Sequence, residues 1–208
     1  MARPFLTDAT KQALSAAVRA VESVCSAELV IAVRPSSGSY LHADLLTGLA
    51  AAFAALAFLL WSPWTFGLAW FVVDPLIAAA LGTLISSRSP GLRRLLTPPA
   101  VRRRQVETAA RSAFIEKRIH RTSGRTGILL YISLLERDAA VVVDLGVEPV
   151  AALEGWKAAV AGIEQAVRRG EDGVAVARQV EALAAVLSPT LAHREDDVDE
   201  LADEVDEQ

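Results

Sequence analysis

The sequence is short of the residues that build covalent cross-links and tight metal sites. It has one cysteine, Cys25, and three histidines among 208 residues. A single cysteine excludes an internal disulfide and a thiol-rich metal site, and it suits a reducing compartment. The histidines, His42, His120 and His193, are far apart, so none pairs with another at metal-ligand spacing. A phosphate-binding loop of the GxxxxGK type is missing as well.

One long stretch, Leu45–Ile85, contains a single charged residue, Asp74. It contains two apolar segments, Leu45–Trp61 and Thr65–Ile85, joined by the short turn Ser62–Trp64. A helix needs about 20 mostly apolar residues to cross a bilayer, and lipid offers the backbone no hydrogen-bond partners. The pattern therefore predicts a two-helix transmembrane hairpin with both ends on one side of the membrane.

The alternative is a buried helical hairpin of a soluble protein, which the short, Ala-rich first segment leaves open. Three of the four tryptophans, Trp61, Trp64 and Trp70, cluster near the predicted turn. Tryptophan rings are enriched at the headgroup level of membranes, so this cluster favours the membrane. The first residues lead directly into a polar helix pattern, and we therefore expect no signal peptide.

The remaining charge is distributed unevenly. Arg88–Arg125 carries eleven Lys or Arg residues against two acidic residues, whereas Arg194–Gln208 carries nine acidic residues and one arginine. Basic residues in short loops beside membrane helices stay in the cytoplasm. We therefore expect a plasma-membrane protein whose soluble domain and both termini are cytoplasmic. The same arginines are expected to contact anionic lipids, and the block lacks base-stacking aromatics, which argues against nucleic acid as a partner.

The residues outside the hairpin alternate between helix and strand patterns. The predicted elements are a helix capped by Thr7, strand Glu28–Arg34, a helix over about 100–119, strands Ile128–Ser133 and Ala139–Asp144 paired as a hairpin, and helices Pro149–Arg169 and Val174–Leu187. Strands that are continuous apolar runs need cover on both faces. The fold class predicted is α/β, a small α/β/α sandwich with the transmembrane hairpin inserted. The predicted divisions are 1-40, the hairpin 41-87, 88-190, and a disordered acidic tail 191-208.

Several of these stretches resemble a known family. Leu6–Asp8 before a helix, followed by Ala27–Val33, resembles the opening of a TPM domain, and Arg121–Arg137, Val141–Val147 and Trp156 resemble its later part. The resemblance covers about 5–187 and is most specific at the Thr-Gly strand, the Glu-Arg turn and the Asp-x-Gly strand end. The family includes thylakoid-lumen proteins described as acid phosphatases linked to photosystem repair. It also includes many bacterial membrane proteins of unknown role, some with a membrane hairpin inside the domain.

The resemblance implies an α/β/α sandwich, with divalent-metal binding or phosphatase activity. Acidic residues near strand ends are proposed to hold a metal in better-studied members, and the matching positions here are Glu28, Glu136 and Asp144. Carboxylate oxygens suit Ca²⁺ or Mg²⁺. The chain lacks the Asp-x-Ala opening of the secreted members, and its Glu-Arg turn replaces a longer loop.

Three arginines, Arg121, Arg125 and Arg137, are the residues that we expect to hold a phosphate or a lipid headgroup. The alternative interpretation of the acidic positions is structural. In it, Glu136 and Arg137 form a solvated turn, and Asp144 caps a turn with Gly146.

Two functions therefore compete. The first is a membrane-anchored TPM-like domain that acts as a non-catalytic binding or assembly module, with a membrane protein or a second copy as partner. The alternative is a divalent-metal-dependent phosphatase of the TPM type.

Asp74 is expected to lie within a membrane helix, where an ionised acid costs about 2.5–3.5 kcal/mol at the centre. It either contacts another subunit or acts as a proton-linked switch, or it is neutral and bonded to carbonyls that Pro75 frees. A transporter subunit built on Asp74 would need oligomers, since two helices enclose no path.

Overall fold

The chain forms two compact units in the computed structural model, which describes residues 5–191 and 206–207. The first, called here the α/β unit, combines residues up to Ser37 with those from Arg103 onward. The second, the helical unit, comprises Gly38–Arg102. The helical unit is therefore an insertion in the chain of the α/β unit. Most of the tail predicted to be disordered, 191-208, lies outside the described residues.

Three strands form the sheet of the α/β unit, and a two-residue strand lies at one edge. The strands are β1 (Glu28–Arg34), β2 (Gly127–Ser133), β3 (Asp138–Val143) and β4 (Asp206–Glu207), in the order β3-β2-β1-β4. β2 pairs antiparallel with β3, which confirms the predicted strand hairpin, and parallel with β1. β4 pairs parallel with β1, so two residues of the predicted disordered tail form a strand instead. The mixed α/β class is confirmed.

One face of the sheet is covered by helices from both ends of the chain. α1 (Asp8–Glu22) begins after Thr7, whose hydroxyl accepts a hydrogen bond from the Thr10 N–H, as predicted for an N-cap. Alternate residues of β1 and β2 point into this core, including Ile31 and Leu130, together with Trp156. The other helices in this part of the chain are α6 (Glu148–Ala151), α7 (Glu154–Arg169), α8 (Gly173–Glu181) and α9 (Leu183–Leu187).

The two C-terminal helices predicted from periodicity are each divided in two. The predicted helix Pro149–Arg169 is interrupted between α6 and α7, where Leu153 adopts an extended backbone as the N-cap of α7. The predicted helix Val174–Leu187 is interrupted between α8 and α9. The apolar spacing continues across both interruptions because the same core covers each pair, and periodicity therefore does not report them.

The opposite face of the sheet is covered by α5 (Pro99–Glu116) and a 3₁₀ turn at Ile119–Arg121. The stripe predicted for α5, Val106, Ala110, Ala113 and Phe114, is buried against Val30, Leu129 and Tyr131. Cover on both faces agrees with the expectation from the continuous apolar strands.

The helical unit contains two long apolar helices and a short one. They are α2 (Leu41–Trp61), α3 (Trp70–Arg88) and α4 (Pro90–Leu96), the last of which was not predicted. α2 and α3 are long and apolar enough to cross a membrane. The connection covers 62–69 and is longer than the predicted turn Ser62–Trp64. As a result Asp74 lies in the second turn of α3, near this connection, and not at the centre of the helix.

α2 and α3 approach each other closely at two glycines. A Cβ atom on Gly48 would lie 2.3 Å from Thr83 Oγ1 and 2.8 Å from the Ala79 carbonyl oxygen. A Cβ on Gly82 would lie 2.9 Å from Ala51 Cβ and 3.1 Å from Gly48 Cα. Small residues permit such close packing of helices in lipid, where the hydrophobic effect does not drive association.

We expect Gly48→Ala to destabilise the helical unit by about 1–3 kcal/mol, because the added methyl group overpacks the helix contact. In an ordinary exposed helix the same change would stabilise by up to about 1 kcal/mol. The measurement is the thermal unfolding midpoint in detergent micelles. Gly67→Ala is the matched control, since no atom lies within 4 Å of its added Cβ. Equal midpoints for the two variants would contradict the close approach.

Candidate functional site

The three carboxylates predicted to hold a metal lie at two different ends of the sheet. Glu28 begins β1 opposite Gly127, and Asp144 follows β3 at the same end, with its N–H donating to the Gly127 carbonyl at 2.9 Å. Glu136 lies in the β2–β3 turn at the other end, and seven strand residues span roughly 20 Å. Among the described residues no group of three or more His, Cys, Asp and Glu side chains is placed to hold a metal.

This separation of the three predicted residues has a simple cause. Parallel β1 and β2 begin at the same end, and antiparallel β3 returns to it, so Glu28 and Asp144 are brought to one end two strand spacings apart, roughly 10 Å between backbones. The turn that carries Glu136 is necessarily at the opposite end. Ca²⁺ or Mg²⁺ binding stays a prediction.

Asp144 is engaged by the loop before β2. Arg125 donates to both of its oxygens, from Nε to Oδ2 at 2.7 Å and from Nη2 to Oδ1 at 2.8 Å. The Leu145 N–H donates to Oδ1 at 2.8 Å. The carboxylate is buried, and a two-pronged arginine contact satisfies it in a fixed orientation. Asp144 therefore fastens two loops of the chain, which agrees with the structural interpretation and extends it from a turn cap to an ion pair.

Two glycines permit the close packing of these loops. Gly146 donates its N–H to the Arg125 carbonyl at 2.8 Å, and a Cβ on it would lie 2.7 Å from the carbonyl oxygens of Gly124 and Arg125. A Cβ on Gly127 would lie 2.4 Å from the Ile119 carbonyl oxygen. The Thr-Gly and Asp-x-Gly segments that carry the family resemblance are thus one packed structure.

The pKa of Asp144 reflects this setting. Burial raises it, but the hydrogen bonds from Arg125 and from the Leu145 N–H lower it by more, so the pKa lies below its ordinary value. The hydrogen bond to Asp144 in turn raises the pKa of Arg125. Both groups are therefore charged near neutral pH.

Glu136 is the centre of a second buried polar cluster, beyond the carboxyl ends of β1 and β2. Its Oε1 accepts from the Ser37 N–H at 2.9 Å, and its Oε2 accepts from the Ser133 hydroxyl. The Ser37 hydroxyl lies 2.6 Å from Ser133 Oγ and 3.4 Å from the Tyr131 hydroxyl. Glu136 is only 3% exposed, so the prediction of a solvated turn is wrong at this residue. The cluster joins the exit of β1 to the β2–β3 turn.

The three arginines predicted as a phosphate clamp are also divided between the two ends. Arg121 is exposed in the 3₁₀ turn, at the same end as Arg125, whose guanidinium is engaged by Asp144. Arg137 lies in the β2–β3 turn, with its Cζ 3.7 Å from a Cβ built on Gly170. The side chains therefore do not converge on one anion.

Sequence reasoning missed the ion pair that joins the ends of the helical unit. Arg93 of α4 donates to both oxygens of Asp44 in α2, at 3.0 and 2.6 Å, and the Ser86 hydroxyl of α3 donates to Asp44 at 2.8 Å. Asp44 and Ser86 are both buried. The first apolar segment predicted from the sequence starts at Leu45, one residue after Asp44. Arg93 belongs to the arginines that are expected to contact lipid. The sequence feature that indicates this pair is an acidic residue near the start of α2 together with an arginine shortly after the end of α3.

A second network missed from sequence lies beside β3. Arg103 donates to the Ala139 carbonyl at 2.6 Å, to Asp138 at 3.2 Å and to Glu164 of α7 at 2.8 Å. Arg168 contacts the same two acids, at 3.0 and 3.1 Å. Burial lowers the pKa of Arg103, but its hydrogen bonds to Glu164 and Glu107 and the charges of Glu164 and Asp138 raise it by more, so the pKa is raised overall.

Comparison with known proteins shows a likeness of fold. No family model matches the chain, and no curated protein matches it. The NMR structure of the BA42 protein from the psychrophilic bacterium Bizionia argentinensis is similar, with a TM-score of 0.61 and 14% identity over 100% of this chain and 99% of that chain. At this identity the likeness concerns the fold alone and does not confirm the TPM resemblance.

The ion pair of Asp144 predicts a pH-dependent stability. Because the folded-state pKa is below the unfolded value of about 3.9, the stabilisation is present above that value and is lost as the pH falls through the folded pKa. We expect Asp144→Asn to unfold at a lower temperature than the unaltered chain at pH 7. The gap should narrow progressively as the pH falls below about 3.9, as measured by thermal unfolding in detergent.

Glu154→Gln is the matched control for this experiment, because the Glu154 side chain is 89% exposed in its pair with Lys157. Exposed pairs contribute little, so its midpoint should follow that of the unaltered chain at every pH. An Asp144→Asn gap that is the same at pH 3 and pH 7 would contradict the assigned role of the ion pair.

Proposed function

We propose that this chain is a membrane-anchored, TPM-like α/β domain that acts as a non-catalytic binding or assembly module at the cytoplasmic face of the plasma membrane. The observation that carries the proposal is the exposed apolar surface of α2 and α3, inserted between two strands of the α/β unit.

The exposure of the apolar side chains of α2 and α3 supports the membrane location. Only 22% of the most apolar 18-residue window of α2, and 11% of that of α3, is buried. Phe53 and Leu76 are 64% and 66% exposed. Such a continuous apolar surface needs a covering, and lipid covers all sides of an isolated pair of helices. Trp61 and Trp64, also exposed, stand at the connection where an aromatic belt would lie.

The distribution of arginines beside α2 and α3 supports a cytoplasmic position for the α/β unit. The connection 62–69 carries no charged residue, whereas exposed Arg88 and Arg104 and four neighbouring arginines lie within or just beyond the end of α3. Lys and Arg near membrane ends are retained in the cytoplasm. Arg93 pairs with Asp44 and Arg103 with Asp138 and Glu164, which reduces the charge available to lipid. Exposed Arg88 and Arg104 are the arginines that we assign to anionic headgroups.

The hydrogen bonds that occupy the oxygens of the buried acids support a binding role. Both oxygens of Asp144 and both oxygens of Glu136 accept hydrogen bonds from the chain itself. A metal-dependent phosphatase needs open carboxylate oxygens and a free cationic clamp at one place. Glu28, Glu136 and Asp144 are divided between two ends of the sheet, so the geometry lends the phosphatase alternative no support.

Asp74 is the residue we assign to a contact with a partner in the membrane. It is partly exposed in the second turn of α3 and precedes Pro75, which cannot donate a backbone hydrogen bond. Acidic residues inside membranes usually face another protein surface. A second copy of the chain or another membrane protein would supply the donor.

Single cysteines test the membrane location and the sidedness. In a Cys25→Ser background, Ala55→Cys and Ala79→Cys should resist a membrane-impermeant maleimide in intact and in lysed cells. Thr65→Cys should react in intact cells, and Ser36→Cys only after lysis. Labelling of residue 55 or 79 would refute the membrane location. Labelling of residue 36 in intact cells, with residue 65 labelled only after lysis, would refute the sidedness alone.

Cross-linking in native membranes tests the assembly role. We expect the unaltered chain to yield a discrete complex larger than the monomer, and Asp74→Leu to reduce that complex at least tenfold while insertion is unchanged. Asp74→Asn is the matched control, because it keeps the hydrogen-bonding shape and should retain part of the complex. A lone monomer from the unaltered chain would refute the assembly role, and an undiminished complex with Asp74→Leu would refute the role of Asp74.

A further inference from the structure

The two edges of the sheet are protected in different ways. At the β3 edge, the Arg103 guanidinium donates to the Ala139 carbonyl at 2.6 Å and contacts Asp138, so a fixed charge lies against the strand. Inward charges of this kind prevent further strands from adding. At the β1 edge the adjoining element is β4, a short piece of backbone from the C-terminal segment. The β1 edge is therefore the one that already accepts a strand.

The backbone groups that β1 directs outward follow from its pairing with β2. The Glu28 N–H donates to the Thr126 carbonyl, and the Arg34 carbonyl accepts from the Leu134 N–H, both on the β2 side. Backbone groups of successive strand residues point to alternate sides. The residues whose N–H and C=O point away from β2 are therefore Leu29, Ile31 and Val33.

These outward groups are engaged by different parts of the chain at the two ends of β1. The Leu29 N–H donates to Glu22 Oε1 at 2.9 Å, so a side chain closes the first position. β4 pairs Asp206 with Ala32 and Glu207 with Val33 in a parallel ladder. Asp206 therefore lies opposite Ala32, between the outward-facing Ile31 and Val33, which is where a parallel strand makes both of its hydrogen bonds.

Two described parts of the C-terminal segment, Leu191 and Asp206–Glu207, make contacts at or beside β1. The Ser26 N–H, just before β1, donates to the Leu191 carbonyl at 3.0 Å. Asp206–Glu207 then pair with the second half of the strand. Of the residues between 194 and 208, nine are acidic, and the basic Arg34 ends β1 next to the paired residues. Charge as well as backbone geometry thus suits an acidic chain at this edge.

We infer that the outer edge of β1, from Ile31 to Arg34, is a strand-addition site for an extended acidic segment of a partner protein. The chain's own Asp206–Glu207 occupies the site in the absence of that partner. Backbone hydrogen bonds to Ile31 and Val33 supply the affinity, and Arg34 supplies the preference for acidic residues, as in other cases of strand addition. The inference rests on the proposed binding role and assigns it a surface and a class of partner.

The test uses the full chain in detergent and a fluorescent peptide with the sequence of residues 201–208. Asp206→Pro removes the N–H that the ladder directs to Ile31, so it should release the resident strand and increase peptide affinity at least tenfold. Glu207→Pro is the matched control. Its N–H points away from β1 by the same alternation, so its affinity should stay near that of the unaltered chain.

Two further measurements separate the outcomes. A peptide with proline at the position of Asp206 should not bind, and Arg34→Gln should weaken binding of the unaltered peptide to the Asp206→Pro chain. Equal affinity of the Asp206→Pro and Glu207→Pro chains would overturn the site. A chemically cross-linked dimer through the C-terminal segment of a second copy would overturn occupancy by the chain's own residues.

The peptide assay needs no natural partner and no membrane. Its failure would therefore leave the membrane cross-linking result untouched. Conversely, a lone monomer in membranes would refute the assembly role without changing whether the β1 edge binds the peptide.

Discussion

Buried carboxylates need hydrogen-bond donors. In the described part of this structure, four buried carboxylates accept hydrogen bonds from other segments and thereby hold those segments together. A buried acid without a partner carries a desolvation cost of several kcal/mol. Asp44 joins α2, α3 and α4, and Glu136 joins the exit of β1 to the β2–β3 turn. Asp138 joins β3 to α5 and α7, and Asp144 joins the loop before β2 to the end of β3. These acids lie where elements meet, and each draws its donors from a different segment.

Two of the acidic positions that the family resemblance associates with a metal, Glu136 and Asp144, join segments of the chain in the structure. A carboxylate near a strand end suits either role, and the sequence contains no signal for the direction in which the strands run. Once β1 and β2 are parallel, Glu28 and Asp144 share one end and Glu136 is left at the other. The distances between the three residues depend on strand pairing between distant segments of the chain.

Elements with a strong local signal were predictable, and those set by distant contacts were not. The Thr7 cap, the β2–β3 hairpin and the buried stripe of α5 each follow from spacing within a few residues. The breaks before α7 and α9, the helix α4 and the pair of Asp44 with Arg93 depend on what packs from elsewhere in the chain. The position of β4 likewise depends on an edge that belongs to a strand at the other end of the sequence.

The insertion of the helical unit between β1 and β2 imposes an order on biosynthesis. β1 leaves the ribosome first, and its parallel neighbour follows only after α2 and α3 have been translated. In the proposed membrane location, the hairpin would enter the bilayer before β2 is made, while the apolar strand β1 still lacks its parallel neighbour. In that location, a chain that fails to insert would leave β1 exposed to chaperones and proteases, and the connectivity would link membrane entry to quality control of the α/β unit.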